Sequence, residues 1–213
     1  FSNSLIKILE DNNIKNIMIA ISGGMDSMLL LYFLSKIREQ YDLSVRAIHI
    51  NHNISDNNEN MIKVCINTCE TYGIECLVKN LVIKSKSNVE EVARLERYAM
   101  IFDSMHDNEC LMLAHHANDQ SETFLYRLFR GSSPKGLSCM KKASQRDGKL
   151  ILRPFLDFYK NDIEQLSKSL NIDYVEDVTN SDLSLDRNYI RRKIIPHIAY
   201  RWESFDKVMS HNI

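Results

Sequence analysis

The feature that most constrains the fold is a short apolar run that ends at a pair of glycines and is followed by a helical pattern. The run covers residues 16–21, Ser22-Gly23-Gly24 interrupts it, and apolar residues then recur at helical spacing from Met28 to Ile37. This order predicts a strand, a tight turn and a helix. Because the free N–H groups at the start of the helix point towards the turn, the turn is suited to bind an anion.

Similar patterns alternate along the rest of the chain. Further strands are predicted at 45–50, 75–80, 110–114 and 150–152, and helices at about 58–72, 89–106, 118–129 and 157–170. Strands that alternate with helices of this length predict an α/β domain in which a Rossmann-like parallel sheet carries helices on both faces. Ligands of such sheets bind beyond the carboxyl ends of the strands. Residues after the first, second and fourth strands are therefore the candidates for a site.

Composition narrows the class of protein. A chain of 213 residues with 44% hydrophobic and 26% charged residues suits one globular domain. No apolar run approaches the roughly 20 residues that span a bilayer, and no signal-peptide pattern is present, so no membrane partner is expected. The number of cysteines, five, is odd, and no pair has the Cys-x-x-Cys spacing of zinc and redox sites. Both observations favour free thiols in the cytoplasm. The net charge of −1 argues against indiscriminate binding to polyanions but leaves room for a local basic face.

The Ser22–Ser27 loop, with the sequence Ser-Gly-Gly-Met-Asp-Ser, carries the strongest chemical signal. Its glycines permit positive φ and close approach of a ligand to the backbone, and its serines add hydroxyl donors. Asp26 would repel a bare phosphate, so its presence indicates a magnesium ion between carboxylate and phosphate. The loop differs from the Walker A pattern, because no Gly-Lys-Ser/Thr follows. The plain alternative is a capped turn without a ligand.

This loop resembles that of the N-type ATP pyrophosphatases, the PP-loop family. The resemblance implies an adenine nucleotide alpha hydrolase-like fold, with ATP and Mg²⁺ as cofactors and Asp26 as the metal ligand. It also implies a set of residues that bind ATP: Ser22, Gly23, Gly24, Asp26, Ser27 and His49. We expect this PP-loop domain to cover residues 1–198, with 174–198 as a basic closing segment, and residues 199–213 to begin a linker or a truncated C-terminal region.

Later motifs are similar to those of the lysidine synthetases within that family. These motifs are His49-Ile50-Asn51-His52, the segment from Ala114 to Thr123, Arg127-Leu128-Phe129-Arg130-Gly131, Arg153-Pro154-Phe155-Leu156, Asp177-Val178-Thr179-Asn180 and Arg187-Asn188-Tyr189-Ile190-Arg191. The likeness runs in unbroken order over residues 16–198. It departs from the family at Asn118, which stands where the first of two adjacent aspartates is usual, whereas Asp119 keeps the second.

The resemblance implies an ATP-dependent enzyme that attaches free L-lysine to C2 of the wobble cytidine of a tRNA(Ile) with a CAU anticodon. The reaction would pass through an adenylated cytidine and release pyrophosphate and AMP. The implied catalytic residues are Asp26, Asp119, Arg130 and Arg191. The implied substrate-binding residues are His52, His115, His116, Glu122, Arg127 and Asn188. A homodimer remains possible.

Three other functions stay open at this point. A tRNA thiolase of the same superfamily often has a Cys-x-x-Cys pair, which this chain lacks. An amidotransferase-type synthetase would need an N-terminal nucleophile or a glutaminase segment, and neither is visible. A nucleotide-binding or RNA-binding module without catalysis would not require the intact Ser22–Ser27 loop. For single residues, plain interpretations also remain: His49 and His52 could cap a strand end, and Asp119 and Glu122 could be acids that favour a helix start.

Overall fold

The computed structural model describes residues 1–51, 58–82 and 89–212, except for the side chains of 89, 90, 178 and 210–212. Its helices and strands follow in chain order: α1 (Ser2–Asp11), β1 (Asn16–Ala20), α2 (Met25–Ile37), β2 (Ser44–Asn51), α3 (Asn58–Thr71), β3 (Glu75–Asn80), α4 (Val89–Ser104), β4 (Cys110–Met112), α5 (Ala117–Phe129), β5 (Ala143–Arg146), β6 (Lys149–Leu152), α6 (Lys160–Ser169), α7 (Asp186–Tyr189), α8 (Ile195–Arg201) and α9 (Phe205–Asn212). A 3₁₀ turn covers Val178–Ser181, and a π-helical segment, Ile190–Ile194, joins α7 to α8.

The strands form one sheet of six in the order β3-β2-β1-β4-β6-β5. Every pairing is parallel except that of β5 with β6. The central strand β1 is buried through Ile17, Met18 and Ile19 because it has a strand on each side and helices above and below. The α/β prediction, with a parallel sheet and helices on both faces, is confirmed.

The strand order places a topological switch point between β1 and β4. The chain leaves β1 towards β2 on one side and later returns to β4 on the other, with Ile19 opposite Met112. In doubly wound sheets, ligands bind in the crevice beyond the strand ends at such a point. The Ser22–Ser27 loop follows β1 and His115 follows β4, so the two segments flank this crevice.

Alternate residues of β1 enter two cores on opposite faces of the sheet. Ile17 and Ile19 pack with apolar residues of α1, α2, α3 and α6. Met18 packs with residues of α4, including Tyr98 and Ile101. This period of two is that of a strand covered on both sides. Cys65 and Cys69 on α3 lie in the first core, and both are free thiols, as expected.

The hairpin β5–β6 and helix α1 were not predicted. Asp147 and Gly148 form the two-residue connection of the hairpin, and both have positive φ, 49° and 76°. An Asp-Gly pair between two short strands is the usual signal for such a turn, so the sequence did contain a mark of this hairpin. The turn makes β5 an antiparallel edge of an otherwise parallel sheet.

The segment after α6 folds back onto the sheet edge. The N–H of Val175 donates to the carbonyl of Gly23 at 2.9 Å, which ties this segment to the Ser22–Ser27 loop. The helix α9 packs on α5. The division into residues 1–198 and 199–213 stays a prediction. Within the described ranges, no helix combines the length and the apolar character needed to cross a bilayer.

Candidate active site

The Ser22–Ser27 loop closes on itself through its own hydroxyl groups. The Ser27 hydroxyl accepts the Ser22 N–H at 3.1 Å and donates to the Gly24 carbonyl at 2.9 Å, while Ser22 Oγ accepts the Gly24 N–H at 3.2 Å. Gly24 is the N-cap of α2 and no side chain caps this helix. The first N–H groups of α2 therefore remain free to bind an anion, as the sequence predicts.

Gly23 is required both by its conformation and by its surroundings. Its φ is +81°, and a Cβ at this position would lie 3.2 Å from the carbonyl oxygen of Met61 on α3. A larger residue would therefore push the loop away from α3 and change the shape of the cradle. The geometry fits the compact backbone turn that the phosphates of a nucleotide need.

Asp26 forms an ion pair with Lys160, the first residue of α6. Lys160 Nζ lies 2.7 Å from Oδ1 and 3.0 Å from Oδ2 of Asp26. The Asp26 side chain is 29% exposed, so the carboxylate is open to a ligand as well. A carboxylate beside a phosphate cradle fits Mg²⁺, which usually takes one or two carboxylates and completes its shell with phosphates and water. Sequence reasoning missed Lys160, because one lysine at the start of a helix has no distinguishing pattern.

His49 is buried and contacts the residue that precedes the loop. Its Nδ1 donates to the carbonyl of Ile21 at 3.0 Å, and the thiol of Cys65 lies 3.5 Å from the same nitrogen. Burial lowers the pKa of His49, although the bond to Ile21 opposes this. A neutral His49 thus supports the end of β1. This contact is compatible with its predicted role at the ATP site, which stays a prediction.

A second group of charges lies on α5. Arg191 donates to both oxygens of Glu122, at 2.5 Å from Nε and 2.9 Å from Nη2, and its Nη2 lies 3.9 Å from Asp119 Oδ1. The other oxygen of Asp119 accepts the His116 N–H at 2.8 Å. The structure therefore brings together four residues that the sequence singled out separately. Glu122 is only 2% exposed, so it is more than an acid on a solvated helix start.

The surroundings of these acids shift their pKa values in opposite directions. Burial would raise the pKa of Asp119, but His116, His115 and Arg191 together hold it below its ordinary value. Burial raises the pKa of Glu122, against the opposing effect of the bidentate contact with Arg191. Asp119 is thus the more firmly ionised carboxylate of the two, as a group that attracts an ammonium must be.

Beyond β4, several nitrogen atoms that carry or can carry a proton are buried without a hydrogen-bond partner among the described residues. They are Nδ1 of His115, Nδ1 of His116 and Nε of Arg153. Burial lowers the pKa of His115 to about 4, and the nearby Arg153 and Arg97 contribute. Burial also lowers the pKa of Arg97, helped by Arg94 and Arg187. Arg97 was not predicted, because its place in the helical pattern of α4 is typical of an ordinary surface arginine.

Other predicted residues have contacts that hold loops and termini. Arg130 follows the last residue of α5, where it is exposed, bonds Tyr126 and lies 3.8 Å from Glu91. Arg127 donates to the carbonyl of Gly136 at 3.1 Å. Asn188 is buried and donates to the carbonyls of Thr179 and Asp182 at 2.8 and 2.9 Å. The predicted roles of all three stay predictions, and His52 lies outside the described residues.

The fold and the loop define a class of protein. A family model described as a PP-loop domain matches residues 1–198. The chain therefore belongs to the PP-loop domain family.

Among curated proteins, the chain is similar to several that are named tRNA(Ile)-lysidine synthase. It is 39% identical over 202 residues to the tRNA(Ile)-lysidine synthase of Buchnera aphidicola subsp. Acyrthosiphon pisum, covering 94% of this chain and 46% of that protein. It is 36% identical over 204 residues to the enzyme of the same name from Haemophilus influenzae strain PittEE, with 94% and 47% covered. The chain thus spans about half the length of the curated relatives it matches.

Solved structures agree on the fold. The U34-tRNA thiolase NcsA from Methanococcus maripaludis superposes with a TM-score of 0.76 at 17% identity, covering 99% of this chain and 76% of its own. The NMN synthetase of Francisella tularensis superposes with a TM-score of 0.56 at 14% identity, covering 80% and 68%. At such low identity, these likenesses show a shared architecture and do not identify a substrate.

Proposed function

We propose that the chain is the catalytic part of a tRNA(Ile)-lysidine synthase. In the proposed reaction, the C2 oxygen of the wobble cytidine in a CAU anticodon bonds to the α-phosphorus of ATP, and pyrophosphate leaves. The ε-amine of lysine then bonds to C2, AMP leaves with that oxygen, and the amine loses a proton. A tRNA substrate supports a cytoplasmic location for this reaction.

The observation that carries the proposal is the pairing of two unlike sites at one sheet edge. One is a glycine-rich loop whose carboxylate, Asp26, is held by Lys160. The other is an acidic group, Asp119 and Glu122, held by Arg191. A nucleotide phosphate needs positive charge nearby, whereas the ammonium of an amine nucleophile needs negative charge. Since the relatives at 36–39% identity carry the name of an enzyme that joins such substrates, the arrangement supports the same chemistry in this chain.

In the nucleotide half of the site, the loop and the start of α2 would bind the pyrophosphate end of ATP. Asp26 would bind Mg²⁺, which neutralises phosphate charge when it is bound. Lys160 would then exchange its contact with Asp26 for one with a phosphate oxygen. Catalysis of this kind depends mainly on positioning and charge neutralisation.

In the amine half, Asp119 would attract the lysine ammonium and accept its proton. Its low pKa makes it a strong electrostatic anchor, although a weaker base. Arg191 would orient both acids and, if released from Glu122, could reach a phosphate. This division assigns binding to Asp119 and positioning to Glu122 and Arg191.

The positive charge close to His115 supports binding of a polyanion. Arg97 and Arg153 lie close enough to lower the pKa of His115, and no carboxylate is among the groups that shift the pKa of Arg97. A buried cation without a partner is costly unless a ligand supplies the anion. We assign this position to a phosphate near the extruded cytidine, since the base must leave the stacked anticodon loop to reach the site.

The test is mass spectrometry of a tRNA(Ile) transcript with a CAU anticodon after incubation with the protein, ATP, Mg²⁺ and lysine. A mass increase corresponding to lysine minus water, located at the wobble position, is expected. Pyrophosphate should appear without lysine present, because adenylation comes first. A transcript with uridine at the wobble position is the matched control. A sulfur-containing product, or pyrophosphate release that ignores the wobble base, would contradict the proposal.

A further inference from the structure

The side chain of Asn118 joins three helices. Its Nδ2 donates to Oδ2 of Asp206 on α9 at 2.7 Å, and its Oδ1 accepts the N–H of Lys160, the first residue of α6, at 2.9 Å. The hydroxyl of Ser121 donates to the other oxygen of Asp206 at 2.6 Å. The carboxylate of Asp206 is therefore bonded through both oxygens to residues near the start of α5.

These contacts require an amide at position 118. A carboxylate can only accept hydrogen bonds and a backbone N–H can only donate, so the residue between Asp206 and Lys160 must do both. An aspartate at 118 would satisfy Lys160 but would place two carboxylates against each other at about hydrogen-bond distance. Asn118, the departure from the family motif, is matched to the presence of Asp206.

Lys160 connects this contact to the Ser22–Ser27 loop. Its N–H is one of the helix-terminal donors that have no partner within their own helix, and Asn118 provides the acceptor. Its ammonium is bonded to both oxygens of Asp26. Since both groups belong to one residue, a shift of the first turn of α6 would move the ammonium relative to Asp26.

We propose that Asp206 is a positioning residue for the nucleotide site. It holds the amide of Asn118 in the orientation that fixes the first turn of α6, and Lys160 is thereby held beside Asp26. The catalytic consequence rests on the proposed function, because it is expressed in the use of ATP. The helix α9, which begins after the residues matched by the family model, would thus contribute to the site without touching a substrate.

Exchange of the two side-chain types tests the pairing. Asn118→Asp should raise KM for ATP about tenfold, as expected for loss of one charge-assisted hydrogen bond, and leave KM for tRNA unchanged. Asp206→Asn should have a smaller effect, because two amides can still share one hydrogen bond. The double variant Asn118→Asp/Asp206→Asn restores one donor and one acceptor in reversed order. It should return to within about threefold of the parent chain.

A second measurement does not depend on catalysis. Hydrogen exchange at the Lys160 amide, followed by NMR, should accelerate about tenfold in Asn118→Asp and in Asp206→Ala and return in the double variant. Glu203→Gln is the matched control, since it removes an exposed carboxylate just before α9 that forms no hydrogen bond or ion pair among the described residues. Its Lys160 exchange should equal that of the parent chain.

The outcomes separate this inference from the proposed function. If the parent chain fails to use ATP but Lys160 exchange follows the predicted pattern, the positioning contact stands and the proposed function fails. Unchanged exchange in Asn118→Asp overturns the inference whatever the activity. A double variant no better than the worse single variant also overturns it. If Asn118→Asp does not fold, folding of the double variant supports the pairing, and its failure to fold contradicts it.

Discussion

The two edges of the sheet differ in how completely their buried polar groups are paired. At the amino edge, the guanidinium of Arg46 donates to both oxygens of Glu109 at 3.1 Å and to Glu75 at 3.1 Å, while Glu109 also accepts the N–H of His106 at 2.7 Å. At the carboxyl edge, His115 and Arg153 keep buried nitrogens without partners among the described residues. Both edges contain ion pairs, which at the carboxyl edge join Lys160 to Asp26 and Arg191 to Glu122, but the carboxyl edge also keeps buried nitrogens without a partner among the described residues.

The difference indicates what each edge is for. A buried ion pair with its hydrogen bonds complete can hold neighbouring elements together, here the starts of β2, β3 and β4, but it has nothing left to offer a ligand. Unpaired buried donors lower stability, and such groups are retained where a ligand completes them. The comparison predicts that substitutions at the amino edge change stability and that those at the carboxyl edge change activity.

The largest expected effect is that of Asp26→Asn. The variant should lose pyrophosphate release by about 10³-fold, equivalent to roughly 4 kcal/mol, because the amide cannot neutralise Mg²⁺ or pair with Lys160 as a charge. Its free energy of unfolding should stay within about 1 kcal/mol of the parent chain, since the side chain is part-exposed. Glu39→Gln, beyond the far end of α2, serves as the control with full activity. Near-normal pyrophosphate release by Asp26→Asn would remove Asp26 from the magnesium site.

At the amino edge, Glu109→Ala should lower the free energy of unfolding by about 3 kcal/mol, because it leaves Arg46 partly buried without its main partner. Activity per folded molecule should not change. The double variant Arg46→Met/Glu109→Met should recover most of the loss, since it removes both charges together. Urea denaturation of the three proteins measures this. A loss of activity that exceeds the unfolded fraction would break the division between the two edges.

Asp119→Ala should slow lysidine formation more than pyrophosphate release, by about ten- to a hundredfold, or roughly 1.5–3 kcal/mol. The carboxylate attracts the ammonium and can accept its proton, and the neutral Asn118 beside it cannot replace that charge. Asp119→Asn is the matched variant, because it keeps an acceptor for the His116 N–H and loses only the charge. Following both products across lysine concentrations distinguishes the steps. Equal loss in both would move Asp119 to the ATP or magnesium site.

The carboxyl edge also has one expected effect on stability, a pH dependence that originates at His115. Its pKa is about 4 in the folded chain against an ordinary value of 6.5, so protonation favours the unfolded state between these values. The stabilising contribution is complete above about pH 6.5 and falls as the pH drops towards 4, by roughly 2–3 kcal/mol. In His115→Gln this part of the pH dependence should disappear. Denaturation series of the two proteins at pH 7, 5.5 and 4 compare the slopes, and parallel curves would contradict the assignment.

Much of the fold could be predicted from local patterns in the sequence. The parallel strands and the helices from α2 to α6 follow from apolar runs, glycine breaks and helical spacing, which act over a few residues. Strand β6 was predicted at 150–152, but β5 and its pairing with β6 were missed although Asp147-Gly148 marks the turn, because β5 is short and polar. The first helix, α1, was missed because only a short, mostly polar segment separates its apolar residues from those of β1.

The residues of the site could be predicted where one local motif contains them. Contacts between residues far apart in the sequence could not be predicted. The Ser22–Ser27 loop and Asp119 stand out in the sequence. Lys160 lies 134 positions from Asp26, and Asp206 lies 88 positions from Asn118. Pairs at such separation are set by the packing of whole helices, which a single sequence does not encode locally. For the same reason the sequence could name Glu122 and Arg191 but could not join them.

The π-helical segment between α7 and α8 accommodates one extra residue in the helix. Pro196 lacks the N–H that an α-helix would use at that position, and the Ile195 N–H reaches back five residues to Ile190. One residue more is therefore wound into this turn than a regular helix would hold. Each residue of an α-helix turns the chain by about 100°. The same residues wound as a regular α-helix would therefore turn α8 by that angle and aim α9 at a different face of the domain. The width of this one turn, as much as its chemistry, sets the direction in which the chain continues.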